Sequence, residues 1–272
     1  MHTKHVKLSV SVKEQIVNIE SPFQHISVLD TYEFGRVLVI DGYIQLTEKD
    51  EFIYHEMMTH VPMAANSAIL NVLVIGGGDG GCVRELCKYE SIKNIDLCEI
   101  DKTVVDVCKE HLPAVSRGLN DPRVNIHYQD GMKFVRDKKD FYDLIIVDST
   151  DPFGPGEGLF SKEFYACCLN ALTVRGILIN QHESVYYDSY KAEVSKMHSK
   201  IKSVFEIARV YQIHLPTYPS GHWLLGFASK SVNPLEIDEL AWENLGVTTN
   251  YYNTKLHKGA FYLPNNVMRE LK

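Results

Sequence analysis

The sequence lacks the features that mark a chain for export or for a membrane. None of its 272 residues lies in an N-x-S/T sequon, and no apolar run approaches the ~18 residues of a membrane span. The N-terminus MHTKHVKLSVSVKEQ alternates apolar and polar residues and has no continuous apolar core of the signal-peptide kind. The six cysteines, Cys82, Cys87, Cys98, Cys108, Cys167 and Cys168, contain no C-x-x-C pair, so a reducing cytoplasm is the expected compartment. Basic residues are also in short supply, 28 against 35 acidic, for a net charge of −7. No Lys/Arg cluster is denser than short runs such as RDKK at 136–139, which argues against nucleic acid or an anionic membrane as the main partner.

What is present is patterned in two parts. Residues 6–47 read as short alternating strands, VKLSVSV, EQIVNIES, HISVLDT, RVLVIDG and YIQLT, with Asp41-Gly42 as a hairpin signal. DEFIYHEMMTHVPMAA follows with Phe52, His55, Met58 and Pro62 at helical spacing, and predicts a connecting helix. From about residue 69 the rhythm changes: apolar strands at 69–76, 94–100, 123–129, 142–148 and 176–181 alternate with helices at 81–90, 102–111, 131–138, 161–172 and 188–203. Continuous apolar strands with helical crossovers imply a parallel sheet covered on both faces. VFEIARVYQIH and HWLLGFASK are expected to close it as an antiparallel edge pair. The expected division is a β unit with its connecting helix, 1–60, and a Rossmann-like catalytic unit, 61–272.

The chemistry is concentrated where those strands end. In NVLVIGGGDGGCVRE (71–85), Gly76, Gly78 and Gly81 form G-x-G-x-x-G, whose backbone N–H groups normally approach a phosphate. Asp79 inside the loop is wrong for that ligand. Two charges about 4 Å apart interact by roughly 4 kcal/mol at an effective dielectric near 20, up to about a thousandfold in affinity. Open α/β sheets bind ligands at the carboxyl ends of their strands, and those ends carry Asp79, then Glu99 and Asp101, then Asp130, then Asp148 with Asp151. Each acid alone reads as a helix N-cap. Four consecutive acidic ends read as a pocket for a cation. Glu99 follows Gly81 by 18 residues, near the place of a ribose-binding acid, so the expected ligand is a nucleoside carrying positive charge, with the glycines permitting its close approach.

VIGGGDGGCVRE, CEID, QDG and VDSTDPFGP together closely resemble the polyamine aminopropyltransferase family, its spermidine-forming members above all. VLVIDGYIQLTEKDEFIYHEMMTHVP, LPTYPSGHWLLGFASK and YYNTKLHKGAFYLP extend the resemblance over nearly the whole chain. It implies an α/β, methyltransferase-like Rossmann fold, with a seven-stranded mostly parallel sheet and a small N-terminal antiparallel β domain. It also implies transfer of an aminopropyl group from decarboxylated S-adenosylmethionine, a co-substrate, to putrescine, giving spermidine and 5'-methylthioadenosine. By the same resemblance Gln24, Gln45, Glu99, Asp130, Gly131 and Pro155 bind the nucleoside alongside Gly76 and Gly78. Asp79 holds the aminopropyl amine, Tyr54, His55, Asp151 and Tyr218 line the polyamine channel with Asp148, and Asp148 is the catalytic acid/base. Homodimers or homotetramers are implied, with no cofactor, metal, nucleic acid or membrane. His55 stands where the family also has Gln, and Cys82 after the loop is a second departure.

The residues themselves leave alternatives open. Displacement beside a sulfonium needs no acid for the leaving thioether, only alignment and removal of one proton from the attacking ammonium. Asp148, with a reference pKa near 3.9 against about 10.4 for the amine, is a weak base for that task unless its surroundings raise it. Tyr54 and Tyr218 could supply cation–π walls, although any one of the 15 tyrosines alone reads as packing. Other acceptors (cadaverine, agmatine, spermidine), a putrescine N-methyltransferase, a nicotinamide oxidoreductase and a non-catalytic polyamine binder are the rival readings. HEMMTH (55–60) is no zinc motif: its histidines are five apart, about 140° around a helix.

Overall fold

The computed structural model describes residues 6–149 and 154–272, with only the backbone described for residues 154, 155, 157, 189 and 219. Strands β1 (Val12–Glu20), β2 (His25–Thr31), β3 (Gly35–Ile40) and β4 (Tyr43–Thr47) form an antiparallel meander in that order. The β3–β4 hairpin turns at Asp41 (φ 50°) and Gly42 (φ 81°), the two left-handed residues a tight hairpin turn requires. The expected strand over residues 6–12 is not formed: the chain is irregular until β1 begins at Val12. β2 ends at Thr31, opposite Val12, and the chain turns away through residues 32–34, so residues 6–11 meet no continuing β2 ladder despite their alternation.

Helix α1 (Glu51–Ala65) leads into the second sheet. Its strands are β5 (Asn71–Gly76), β6 (Asn94–Glu99), β7 (Val124–Tyr128), β8 (Tyr142–Asp148), β9 (Leu172–Glu183), β10 (Ile207–His214) and β11 (His222–Ser229). The spatial order is β10-β11-β9-β8-β5-β6-β7; β5 to β9 run parallel and β10 and β11 close one edge antiparallel, as the sequence pattern predicts. The helices between and after them are α2 (Gly81–Leu86), α3 (Lys102–His111), α4 (Pro113–Ser116), α5 (Gly131–Arg136), α6 (Lys162–Ala171), α7 (Asp188–Lys202), α8 (Glu239–Glu243), α9 (Thr254–Ala260) and α10 (Asn265–Glu270). α2 stops four residues short of expectation, because the chain turns at once to bury Tyr89 and Ile92 before entering β6.

Strand β5 explains its own composition. Val72 and Val74 pack on one face against α1 and α2, and Leu73 and Ile75 on the other against α5 and α6, so the four positions between Asn71 and Gly76 are all apolar. The small sheet turns Ile26, Val28, Leu38, Ile40 and Leu46 toward Val104, Val107, Cys108 and Leu112 of the α3–α4 region, so one apolar cluster joins the two sheets. From β5 the chain runs outward to β6 and β7, then returns to place β8 on the other side of β5. The crevice between β5 and β8 is therefore the switch point of the sheet, where such folds bind ligands.

HEMMTH sends its polar residues to three destinations. His55 faces the glycine loop, and His60 bonds Tyr89 Oη (2.7 Å) and Glu85 (2.9 Å). Glu56 accepts the backbone N–H groups of Asn250 (2.7 Å), Tyr251 (2.7 Å) and Tyr252 (2.8 Å). One buried carboxylate thus fastens the C-terminal segment to α1. Glu56→Ala would strand three amides, each costing about 1–3 kcal/mol when left without a partner. A loss of at least about 3 kcal/mol in urea unfolding is expected, with Glu56→Gln losing clearly less because its carbonyl oxygen still accepts.

Candidate active site

The glycine loop crosses the end of β8 at closest approach. Gly77 N–H donates to the Asp148 carbonyl at 2.7 Å, and a Cβ on Gly76 (φ 77°) would lie 2.2 Å from that same oxygen. Only glycine fits there. The loop so seated holds Asp79 in the same cleft as Asp148, close enough for their charges to interact, and Asp79 Oδ1 accepts from Gly81 N at 2.7 Å. A Cβ on Gly81 would fall 2.2 Å from the His55 ring, so the third glycine makes room for the imidazole of α1.

Gln24, Gln45, Tyr54, His55, Gly76, Gly78, Asp79, Glu99, Asp130, Gly131, Asp148 and Tyr218 all line one cleft at this switch point. Of the residues expected in the site, Asp151 lies outside the described residues, and nothing is described of the Pro155 side chain. Asp130 is a cap as well as wall. Asp130 accepts from Met132 N (2.8 Å) and Lys133 N (3.3 Å) at the start of α5. Asp101 caps α3 through Thr103 N (2.9 Å) and also takes Ser21 Oγ (2.6 Å) and Gln24 Nε2 (3.0 Å), so it stands behind the wall and ties the small sheet to the large one.

The two ends of the cleft differ electrically. At the Glu99 end, burial pushes the Glu99 carboxyl up to about 7 against the N–H groups of Asp101 and Gly78 that favour its ionised form. Tyr218 Oη donates to the Gln45 carbonyl at 2.7 Å, and its ring stands 6.2 Å from that of Tyr54 and 4.8 Å from that of Trp223. Between these walls, burial and then the charge of Asp79 raise Asp148 to about 6, opposed by the His55 cation and by hydrogen bonds from Tyr54 and Cys82. Burial and the neighbouring Asp148 hold the Tyr54 hydroxyl and the Cys82 thiol far above their ordinary ranges, so both stay protonated. Cys82 Sγ lies 3.4 Å from Asp148 Oδ2.

Asp79 is not an isolated anion. His55 Nε2 lies 3.3 Å from Asp79 Oδ1, and His55 Nδ1 lies 2.5 Å from Glu51. Burial works against a charged ring, but Asp79 and then Glu51 overcome it and raise His55 to about 10. Burial would likewise raise Asp79, yet His55, the Gly81 N–H and Arg84 hold it below the usual carboxylate range. His55, Cys82 and Asp148 place ligand atoms within 4.8 Å of one another. Both His55 nitrogens are already taken by carboxylates, which argues against reading the three as a metal site.

Glu51, Gln181, Leu215 and Trp223 also line the cleft and were not anticipated among the site residues. Gln181 Nε2 donates to the Ser149 carbonyl at 2.6 Å, just past the end of β8. Glu51 had a signal, since it precedes His55 by one helical turn. Trp223 lay within a motif quoted for its family resemblance, with no role attached.

The Cys82 and Tyr54 donors favour ionised Asp148, so removing one should raise its pKa further. Cys82→Ala is expected to move the titration of the Asp148 carboxyl, about 6 in the wild type, to higher pH by a fraction of a unit while leaving that of Glu99 unmoved, read by carbon NMR of the labelled protein. Cys82→Ser should restore it. Identical titrations in all three proteins would exclude the coupling.

Residues 51–239 match the Spermine/spermidine synthase domain family, and residues 1–48 match the Spermidine synthase tetramerisation domain. The polyamine aminopropyltransferase of Alkaliphilus oremlandii is 59% identical over 272 residues, covering 100% of this chain and 96% of that protein. That of Clostridium perfringens is 58% identical over 271 residues, covering 100% and 96%. A crystal structure of spermidine synthase in complex with the transition-state analogue AdoDATO superposes with a TM-score of 0.95 at 39% identity, over 98% of this chain and 91% of that one. Spermidine synthase from Thermotoga maritima gives 0.93 at 38% identity, over 98% and 90%. The chain belongs to the spermine/spermidine synthase family and is an aminopropyltransferase of polyamine biosynthesis.

Proposed function

We propose that the chain is a spermidine synthase, transferring the aminopropyl group of decarboxylated S-adenosylmethionine to putrescine. The observation that carries this reading is the pairing of Asp79 and Asp148 in one enclosed cleft, with tyrosine walls on one side and Glu99 on the other. Glu99, Gln24, Gln45 and Asp130 with Gly131 would hold the nucleoside. Asp79 would take the ammonium of its aminopropyl tail. Tyr54, Tyr218 and Trp223 would enclose the methylene chain of the diamine, with Asp148, Asp151 and His55 near its amines.

In the transfer the amine nitrogen forms a bond to the carbon beside the sulfonium while the C–S bond breaks. The electron pair goes to sulfur, which leaves as a neutral thioether. The proton shed by nitrogen goes to Asp148. At about 6 instead of the ordinary carboxylate value, Asp148 narrows the gap to an amine near 10.4 from about six units to about four. It thus serves best as a group that orients the nucleophile and accepts its proton as the C–N bond forms. The match of residues 1–48 to a tetramerisation domain supports a homo-oligomer, and six free cysteines suit a cytoplasmic setting.

Purified protein with decarboxylated S-adenosylmethionine and an equimolar panel of putrescine, cadaverine, agmatine and spermidine, read by mass spectrometry, should give spermidine as the main product. Predominance of another adduct would transfer the assignment to that acceptor, and a methyl adduct with S-adenosylmethionine would overturn it. Asp148→Asn should lower turnover by about a hundredfold or more while nucleoside affinity stays within a few fold. Asp79→Asn should reduce the preference for the decarboxylated nucleoside over S-adenosylmethionine by about tenfold, since His55 already compensates part of its charge. An unchanged preference in competitive binding would remove Asp79 from that role.

A further inference from the structure

Behind His55 and Asp79 stands a second pair of charges that the transfer itself does not use. Glu51 takes both ends of the Arg84 fork, Nη1 on Oε1 at 2.7 Å and Nη2 on Oε2 at 2.9 Å. The same carboxylate meets His55 Nδ1 at 2.5 Å. Arg84 Nε donates to Glu85 at 2.9 Å, and Glu85 also holds His60 and Lys88. These charges are out of water: Glu51 and Arg84 are 8% exposed, His55 3% and Glu85 1%.

Hydrogen-bond capacity decides the state of His55. A neutral imidazole has one donor and one acceptor nitrogen, whereas an ionised carboxylate only accepts. Both His55 nitrogens face carboxylates, Glu51 on one side and Asp79 on the other, so the ring meets both only with both nitrogens protonated. Glu51 is in turn kept ionised by the fork. Two parallel N–H donors on a fixed plane do this, and a lysine offers no such geometry.

We propose that Glu51 and Arg84 are positioning residues for aminopropyl transfer: the Arg84 fork fixes Glu51, Glu51 holds His55 as a cation aimed at Asp79, and Asp79 is thereby preset, partly compensated, for a substrate ammonium. This rests on the reading of Asp79 as the carboxylate for the aminopropyl tail. The arriving ammonium shares Asp79 with His55, which limits how tightly the ground state is held. The other groups facing or near the ring are Tyr54 on α1, Cys82 on α2 and Asp148 at the end of β8. Of these only Asp148 gains charge across neutral pH, and its anion also favours the protonated ring.

The test follows the His55 ring by carbon NMR in histidine-labelled enzyme, assigned by the signal lost in His55→Gln. It then compares wild type with Glu51→Gln and Arg84→Lys, both checked by thermal melting. In wild type the ring should stay charged to above pH 9, as expected for a histidine raised to about 10 by two carboxylates. Glu51→Gln removes one of those anions, so the midpoint should fall by at least a unit, and Arg84→Lys should give a smaller fall. Above the new midpoint a neutral ring leaves Asp79 uncompensated. The ratio of variant to wild-type KM for decarboxylated S-adenosylmethionine should then fall about fivefold between pH 7 and 9. A purely structural role would give a loss that is constant with pH. A wild-type ring that titrates below pH 8, a midpoint unmoved in Glu51→Gln, or a flat ratio would overturn the proposal. The wild-type titration decides even if a variant does not fold. It also needs no substrate, so a failure of the putrescine assignment would be seen separately in the product panel.

Discussion

The glycine loop can cross the end of β8 only because Gly76 brings no side chain to the Asp148 carbonyl and Gly77 offers it an N–H at 2.7 Å. That crossing brings Asp79 into the same cleft as Asp148, where the two charges interact. A cradle with the same glycines but no acid would attract an anion through its N–H groups. Here the loop spends one of those donors internally, Gly81 N on Asp79. The acid cancels the attraction for anions and replaces it with one for cations.

Two carboxylates close together in a low-dielectric cleft cannot both be ionised at no cost. The protein distributes that cost unequally. Asp79 receives His55, Gly81 N–H and the more distant Arg84 and is held as an anion, while at Asp148 burial and the charge of Asp79 outweigh His55 and the neutral donors Tyr54 and Cys82, and it is raised. The difference would suit the two proposed tasks, a held anion for the ammonium of the aminopropyl tail and a raised carboxylate for the proton of the attacking amine. The asymmetry originates on α1, whose fifth residue, His55, faces Asp79 while its fourth, Tyr54, faces Asp148.

Most of the scaffold was legible because periodicity and burial have one cause in it. β5 and β8 read as apolar runs since both their faces are covered, and the acidic strand ends read as a pocket for a cation since the topology gathers those ends. The alternating segment at 6–12 misled because alternation states which face would be buried, and not whether a neighbouring strand is free to pair. The Glu51–Arg84 pair was hidden for a different reason. Its partners lie 33 residues apart, and no local spacing indicates that α1 and α2 face each other with charges buried between them. The sign of the shift at Asp148 was also beyond the sequence, because it depends on which neighbours compensate Asp79.

Being a helix cap and facing the cleft are not alternatives for a strand-end acid, and Asp130 does both. A cap fixes its carboxylate by the N–H groups at the start of a helix, which is also the carboxyl edge of the sheet where a ligand sits. Asp130 keeps lone pairs for the cleft while holding α5, and Asp79 does the same beside α2. Asp101 carries the logic to the small sheet. Its Oδ1 caps α3 and its Oδ2 fixes Ser21 and Gln24, two residues beyond Glu99 in the chain. The N-terminal sheet therefore reaches the Glu99 end of the cleft through a carboxylate anchored in the seven-stranded sheet. Any motion of the small sheet that displaced Gln24 would have to break its hydrogen bond to Asp101 or pull on the cap of α3.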